Sequence, residues 1–365
     1  MINPFKFGTV VDEPFFFNRT KEMRRIREVM DSENHLTIIS PRRYGKTSII
    51  RKVLSESGKR YIFLDIQIVL TPEDLAAQLL KRVYRISPFR KMKNMVKNFR
   101  IIPSITMNAA TGEIEVGFRA DEKNRTSPLE DVLNLIEKIG SEKNRLVVAL
   151  DEFQEIFRID KNLDKVMRSV MQNHKNVNYI LAGSIESMMR GIFENKKSPF
   201  YHFASVMTLE KLPGKEFAAF MEERFSGLTE KGNKLSDAII SLTDCHPYYT
   251  QQLASFTWDV LKREGDSEDL INKALDEILQ NNDNNYERLW QGFTRTEMKV
   301  LTGMSDSDIE PLSKEFANKY NTGAASTVFS ALQKLMEKGI VVKSVKKYGI
   351  DDPFLKRWIV MRRER

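Results

Sequence analysis

At 365 residues, 41% of them hydrophobic, the chain is long enough for two or three domains with packed cores. A formal charge of +8 permits contact with nucleic acid without requiring it. One cysteine, Cys245, excludes an intramolecular disulfide framework, and the lack of a long apolar stretch or a signal-peptide pattern points to a cytoplasmic location without membrane contact.

The first predicted helix covers residues 20–30, after Phe15-Phe16-Phe17-Asn18-Arg19. An apolar strand follows, Leu36-Thr37-Ile38-Ile39, and leads into Ser40-Pro41-Arg42-Arg43-Tyr44-Gly45-Lys46-Thr47. A helical pattern, Ser48-Ile49-Ile50-Arg51-Lys52-Val53-Leu54, comes next. Strand, loop, Gly-Lys-Thr and helix in this order make a phosphate-binding loop. Backbone N–H groups at the helix start point at the phosphates, and the helix dipole favours negative charge there. Gly45 lets the backbone approach, Lys46 reaches the β- and γ-phosphates, and Thr47 offers its hydroxyl to Mg²⁺. Ser40 stands where the first glycine of the motif is usual, a change that removes no phosphate ligand. Arg42 and Arg43 can bind phosphate, reach a neighbouring subunit, or be solvated. Neither is assigned as an arginine finger.

A second strand is predicted at Tyr61-Ile62-Phe63-Leu64-Asp65-Ile66, then a helix capped by Thr71 with Pro72 in its first turn. Residues 101–119 alternate loosely around Asn108-Ala109-Ala110-Thr111-Gly112 and read as an inserted β-hairpin with Gly112 in its turn. Ser127-Pro128-Leu129-Glu130 opens a helix reaching about Gly140. Leu146-Val147-Val148-Ala149-Leu150 then reads as a strand buried on both faces, as in a parallel sheet. It ends in Asp151-Glu152. Asp151 is placed to hold Mg²⁺, directly or through water, and Glu152 to polarise an attacking water. The alternative is a helix N-cap followed by a first-turn acid. A helix over residues 159–173 and a strand, Val177-Asn178-Tyr179-Ile180-Leu181-Ala182-Gly183-Ser184, complete this part.

From Lys211 to Asn285 the pattern is helical, with helices expected at 214–225, 235–242, 247–263 and 267–280. Thr294-Arg295-Thr296-Glu297 has capping-box spacing and opens a further helix. Helices at 310–319 and 324–338 and a hairpin from Gly339-Ile340-Val341 to Tyr348-Gly349-Ile350 complete a winged helix. The last segment is basic, with Lys343, Lys346, Lys347, Lys356, Arg357, Arg362, Arg363 and Arg365, yet Asp351-Asp352-Pro353-Phe354 follows the hairpin and can fold back through Phe354 and Trp358.

Five stretches carry a resemblance. They are the loop Ser40 to Ser48, Leu150-Asp151-Glu152-Phe153-Gln154, Ala182-Gly183-Ser184, Ser198-Pro199-Phe200-Tyr201 and Cys245-His246-Pro247-Tyr248-Tyr249. The chain resembles the prokaryotic, archaeal-type P-loop ATPases of the AAA+/STAND group. The resemblance implies an α/β P-loop NTPase domain with a parallel sheet at 1–210, an all-helical lid at 211–285 and a winged-helix domain at 286–365. It implies ATP or ADP with Mg²⁺ as ligands, bound between the α/β core and the lid. Lys46 and Glu152 would serve catalysis, and Ser184 would sense the γ-phosphate or position water; as an alternative, Ser184 caps the following helix. Pro247 would lie near adenine, while His246 either touches nucleotide or is structural, and Arg190 is a further arginine to consider. Three positions depart from the pattern: Asn18 and Cys245 each replace a glycine, and His202-Phe203 stand where relatives often carry Gly-Arg. The expected activity is a nucleotide-controlled ATPase switch. Its winged helix would grip DNA, or contact a protein partner or a second copy of the chain.

Overall fold

The computed structural model describes residues 2–87, 94–108, 113–118, 127–343 and 347–364. The chain divides into two compact units. One, the α/β unit, comprises Arg19–Ser40 and Lys46–Leu209. The other, the helical unit, comprises the residues up to Asn18, the short segment Pro41–Gly45 and everything from Glu210 on.

The α/β unit runs α1 (Thr20–Met30), β1 (Leu36–Ile39), α2 (Lys46–Glu56), β2 (Tyr61–Asp65) and α3 (Pro72–Ile86). The inserted hairpin follows as β3 (Ser104–Met107) and β4 (Ile114–Gly117), then α4 (Ser127–Ile139) and β5 (Leu146–Asp151). Next come α5 (Ile156–Ile159), α6 (Leu163–Met171), β6 (Val177–Gly183), α7 (Glu186–Phe193) and β7 (Ser205–Thr208). Five strands form one sheet in the order β2-β5-β6-β1-β7, all parallel. Every residue of the three central strands is buried, whereas the edge strands β2 and β7 alternate. That is why the central strands read as unbroken apolar runs in the sequence. Strand β6 pairs Ile39 of β1 with Gly183 and Leu150 of β5 with Leu181. The carboxyl ends of β1 and β5 therefore flank the residue that follows β6, Ser184.

Thr71 caps α3 as expected, accepting from the Asp74 N–H at 3.1 Å, with Pro72 behind it. The hairpin pairs antiparallel, Met107 with Ile114, and Ile114 joins the core of the unit. The turn expected at Ala109-Ala110-Thr111-Gly112 lies outside the described residues. The helix expected over residues 159–173 begins only at Leu163, after the separate short helix α5 that ends at Ile159. The Asp160 side chain accepts the Asn162 N–H at 2.8 Å and its carbonyl accepts from Leu163, a local turn that competes with helix.

The helical unit contains α8 (Gly214–Phe225), α9 (Gly232–Thr243), α10 (Pro247–Glu264) and α11 (Leu270–Gln291). Then come α12 (Arg295–Asp306), α13 (Lys314–Tyr320), α14 (Ala325–Glu337), the hairpin β8 (Val341–Lys343) with β9 (Tyr348–Ile350), and α15 (Pro353–Glu364). Helix α11 is longer than expected, so the boundary placed at Tyr286 lies inside it. One hydrophobic cluster runs from Phe5 through α8–α11 to Phe354 and Ile359 in α15. Phe354 does fold back, its ring edge-on to Tyr249 at 5.5 Å, and Trp358 donates to Asp283 at 2.7 Å. The N-terminal segment packs here too: the Phe5 ring lies 5.0 Å from Phe225, and Phe17 stacks on Phe217 at 5.2 Å. Helix α13 begins later than expected because Ser313 caps it, accepting from Phe316 at 3.1 Å. Lys346 and Arg365 lie outside the described residues.

The capping box at α12 is complete. Thr294 accepts the Glu297 N–H, and the Glu297 carboxylate accepts the Thr294 N–H at 2.7 Å. Glu297 also takes the Lys338 ammonium at 2.8 Å, which ties the start of α12 to the end of α14. Burial alone would raise the Glu297 pKa, but the Lys338 and Thr294 bonds outweigh it and hold the carboxyl below its ordinary value of 4.5. A depressed carboxyl stabilises the fold above its unfolded pKa and loses that stabilisation as pH falls through the folded value. Glu297→Gln is expected to cost about 1–2 kcal/mol at neutral pH. The difference from the parent should shrink as pH drops below 4.5, where the parent loses the same charge. Hydrogen exchange of the α12 amides, compared at matched pH, checks both outcomes.

Candidate phosphate-binding and hydrolytic site

Ser40 follows β1 and is fully buried. Lys46 opens α2 and folds back, its ammonium donating to the Ser40 carbonyl at 3.1 Å with the Ser40 hydroxyl at 3.5 Å. The serine in place of the usual glycine therefore supplies an extra oxygen to the lysine. No acidic residue stands in the first turn of α2. The helix dipole at this end favours an anion. Ser48 is buried one position beyond Thr47.

Thr47 donates its hydroxyl to Asp151 Oδ2 at 2.5 Å, joining the start of α2 to the end of β5. Asp151 is 2% exposed. Burial pushes its carboxyl above the ordinary range; the Glu152 charge adds to this, while the Thr47 hydroxyl and the Lys46 ammonium oppose it. A buried carboxylate that accepts, among the described residues, only from the Thr47 hydroxyl and the Glu152 N–H, at 3.0 Å, suits a cation. Among the described residues no group of three or more His, Cys, Asp or Glu side chains could hold a metal on its own. Thr47 and Asp151 fit Mg²⁺ in the manner of a phosphate site, with few protein ligands and the phosphates supplying the rest.

Glu152 has a left-handed backbone, φ 51°. Its Oε2 accepts the Ser184 hydroxyl at 2.6 Å and the Gln154 amide at 2.6 Å. So Ser184 is tied to Glu152 and makes no cap bond to α7. Glu152 and Ser184 come together because β5 and β6 are neighbours in register. Gln154 had no role assigned from sequence; its place in Leu150-Asp151-Glu152-Phe153-Gln154 was the only signal.

The tip of the loop, Pro41–Gly45, groups with the helical unit. Gly45 has φ 90°, open only to glycine without strain. Arg43 is also left-handed, φ 66°. Its guanidinium lies 4.7 Å from the Tyr248 ring and donates to the Tyr249 hydroxyl at 2.8 Å. Tyr44 is buried, its ring edge-on to His246 at 4.7 Å and its hydroxyl 3.4 Å from Asp351. Arg42 is exposed and Pro41 half-buried. Pro247 begins α10 next to His246, whose Nδ1 accepts from the Tyr248 N–H at 3.2 Å. His246 thus has a structural role as the N-cap of α10, and it also touches the loop tip through Tyr44. Arg190 is bridged to Glu186 at 2.8 Å on its own helix and to Glu194 at 2.7 Å just past its end.

The three departures from the expected glycines share one property. Asn18, His202 and Cys245 have φ of 60°, 56° and 57°. Each keeps the left-handed backbone that a glycine would adopt freely.

No curated protein matches the chain in sequence. The family model for the ATPase domain predominantly from Archaea matches residues 16–253, and a model for a probable winged helix domain matches residues 284–361. Among solved structures, the Walker-type ATPase PABY2304 of Pyrococcus abyssi is similar over 95% of this chain and 97% of its own, at 19% identity and a TM-score of 0.68. The ORC2 protein of Aeropyrum pernix is similar over 99% of this chain and 100% of its own, at 14% identity and a TM-score of 0.54. At these identities the likeness is one of fold. The chain belongs to the ATPase family found predominantly in Archaea and is an ATPase with a winged helix at its C-terminal end.

Proposed function

We propose that the chain is a Mg²⁺-dependent, ATP-hydrolysing switch of the STAND type whose output is its winged helix. The observation that carries this reading is the Thr47–Asp151 bond, which brings the phosphate loop and the acidic strand end to one point, with Glu152 and Ser184 beside it. The Aeropyrum pernix ORC2 structure is of ADPNP–ADP complexes, which supports a nucleotide as the ligand.

In this reading the α2 amides and Lys46 neutralise the phosphates. Thr47 and Asp151 would hold Mg²⁺, which when bound supplies charge neutralisation at the β- and γ-oxygens. Glu152 takes a proton from the attacking water, and Ser184 orients that carboxylate. Such chemistry is mostly positioning and electrostatics, so a change in any holding contact controls the rate. Arg43 and Tyr44 are held by the residues that begin α10 and precede α15, which gives the loop tip a route to the winged-helix end of its own unit.

For the output, DNA is one reading, carried by the basic hairpin. A protein partner is favoured by an exposed ring and two ion pairs. Phe329 is 45% exposed on α14, Lys347 is paired with Asp308 at 2.8 Å, and Lys338 is paired with Glu297. On α14, Ser326, Thr327, Ser330, Lys334 and Glu337 are the exposed polar groups, a face with little positive charge.

Lys46→Ala is expected to abolish most of the thermal stabilisation by Mg·ATP, which for ligand at a hundredfold excess over Kd is worth about 2.7 kcal/mol. An undiminished shift would place the nucleotide elsewhere. Glu152→Gln should keep that shift and slow hydrolysis by about a hundredfold or more. Hydrolysis at the parent rate would remove Glu152 from the water-activating role. Neutralising Lys343 and Lys347 together separates the outputs. Under the DNA reading, affinity falls evenly across sequences and the salt slope drops by about one per lost phosphate contact. Unchanged affinity and slope, or no DNA binding at low salt, leave the protein partner.

A further inference from the structure

Gln154 is fully buried in the turn after β5, and only half of its amide is used. The Nε2 donates to Glu152 Oε2 at 2.6 Å, while Oε1 is buried without a hydrogen-bond partner among the described residues. Reversing the amide would set an oxygen against the carboxylate, so the orientation is fixed by charge. A buried acceptor left unpaired costs about 1–3 kcal/mol. A side chain kept only to fill this space would do better as methionine or leucine, which bury no polar atom.

The space itself is made by Gly183. A Cβ on Gly183 would stand 2.3 Å from Gln154 Oε1 and 2.3 Å from Met189 Sδ. The bare residue at the end of β6 is therefore what admits the amide. Both donors to Glu152, the Ser184 hydroxyl and the Gln154 amide, reach the same oxygen. With Oε2 taken twice, Oε1 is the oxygen turned over to other partners. A carboxylate gripped in this way, on a left-handed backbone, is held in one orientation.

We infer that Gln154 is a positioning residue for hydrolysis: through Gly183's open space it clamps Glu152 Oε2 and so aims Oε1 at the water. The inference rests on the proposed role of Glu152. It differs from that reading in predicting that a residue which touches neither nucleotide nor water limits turnover.

The test uses the full chain and compares Gln154→Met, Gly183→Ala and Glu152→Gln for kcat, KM and thermal stabilisation by Mg·ATP. Gln154→Met keeps the volume and removes the donor. It should lower kcat by about tenfold or more while KM and the thermal shift stay within about twofold. Gly183→Ala should give the same signature by displacing the amide, and it supplies the answer if Gln154→Met does not fold. A slow Glu152→Gln enzyme alongside parent-like kcat in both other variants overturns the inference and leaves Glu152 in place. Equal losses of kcat and of nucleotide binding in both variants also overturn it, because they mark a merely structural side chain. Parent-like hydrolysis by Glu152→Gln removes the base itself, and Gln154 with it.

Discussion

Asp151 ends a strand whose six residues are all buried, and an ionised carboxylate in that position has to be answered. The Glu152 N–H answers it locally, and the Thr47 hydroxyl and Lys46 charge answer it across the parallel sheet. Strand β6 separates β5 from β1, so the loop after β1 brings Thr47 and Lys46 to one side of Asp151, and Ser184 stands at the end of β6 itself. Without an all-parallel register these groups would point from opposite ends of the sheet. The purely apolar character of the three central strands and the polar cluster at their carboxyl ends are thus two sides of one constraint.

What could be read from sequence follows from that constraint. A strand buried on both faces must be an unbroken apolar run, so β1, β5 and β6 were legible, and so were the residues that follow each. Thr71 and Thr294 were legible because a cap is a local matter of one side chain and the N–H three residues on. Three features were not. The break at Asp160 depends on an aspartate choosing its own backbone over the helix. The length of α11 depends on tertiary burial, since Asn281, Asn282, Asn284 and Asn285 are poor helix formers that propensity alone would place in a loop. Gln154 looks like an ordinary polar residue until Gly183 is seen beside it, a contact between strand ends that no spacing rule reveals.

The same holds for charge. The count of lysines and arginines near the C-terminus suggested a cationic surface, but several of them are spoken for. Lys347 is paired with Asp308, Lys338 with Glu297, and Arg362 with Glu287. The exposed pair Lys347–Asp308 adds little stability, yet all three pairs subtract from the field that a polyanion would meet. Sequence shows how many charges a segment carries; only the fold shows how many remain for a partner.

Cys245 and Gly214 show how a fold can move a requirement from one residue to another. The chain turns left-handed at Asp244 and Cys245 before His246 caps α10, a corner that suits glycine. With cysteine there, the sulfur reaches towards the first residue of α8, and a Cβ on Gly214 would come within 3.1 Å of it. A side chain at 214 would ask the Cys245 sulfur to give way by a few tenths of an ångström, whereas glycine at 245 would leave that space open. What one position accepts therefore depends on where the side chain of the other stands, and the corner itself stays the same.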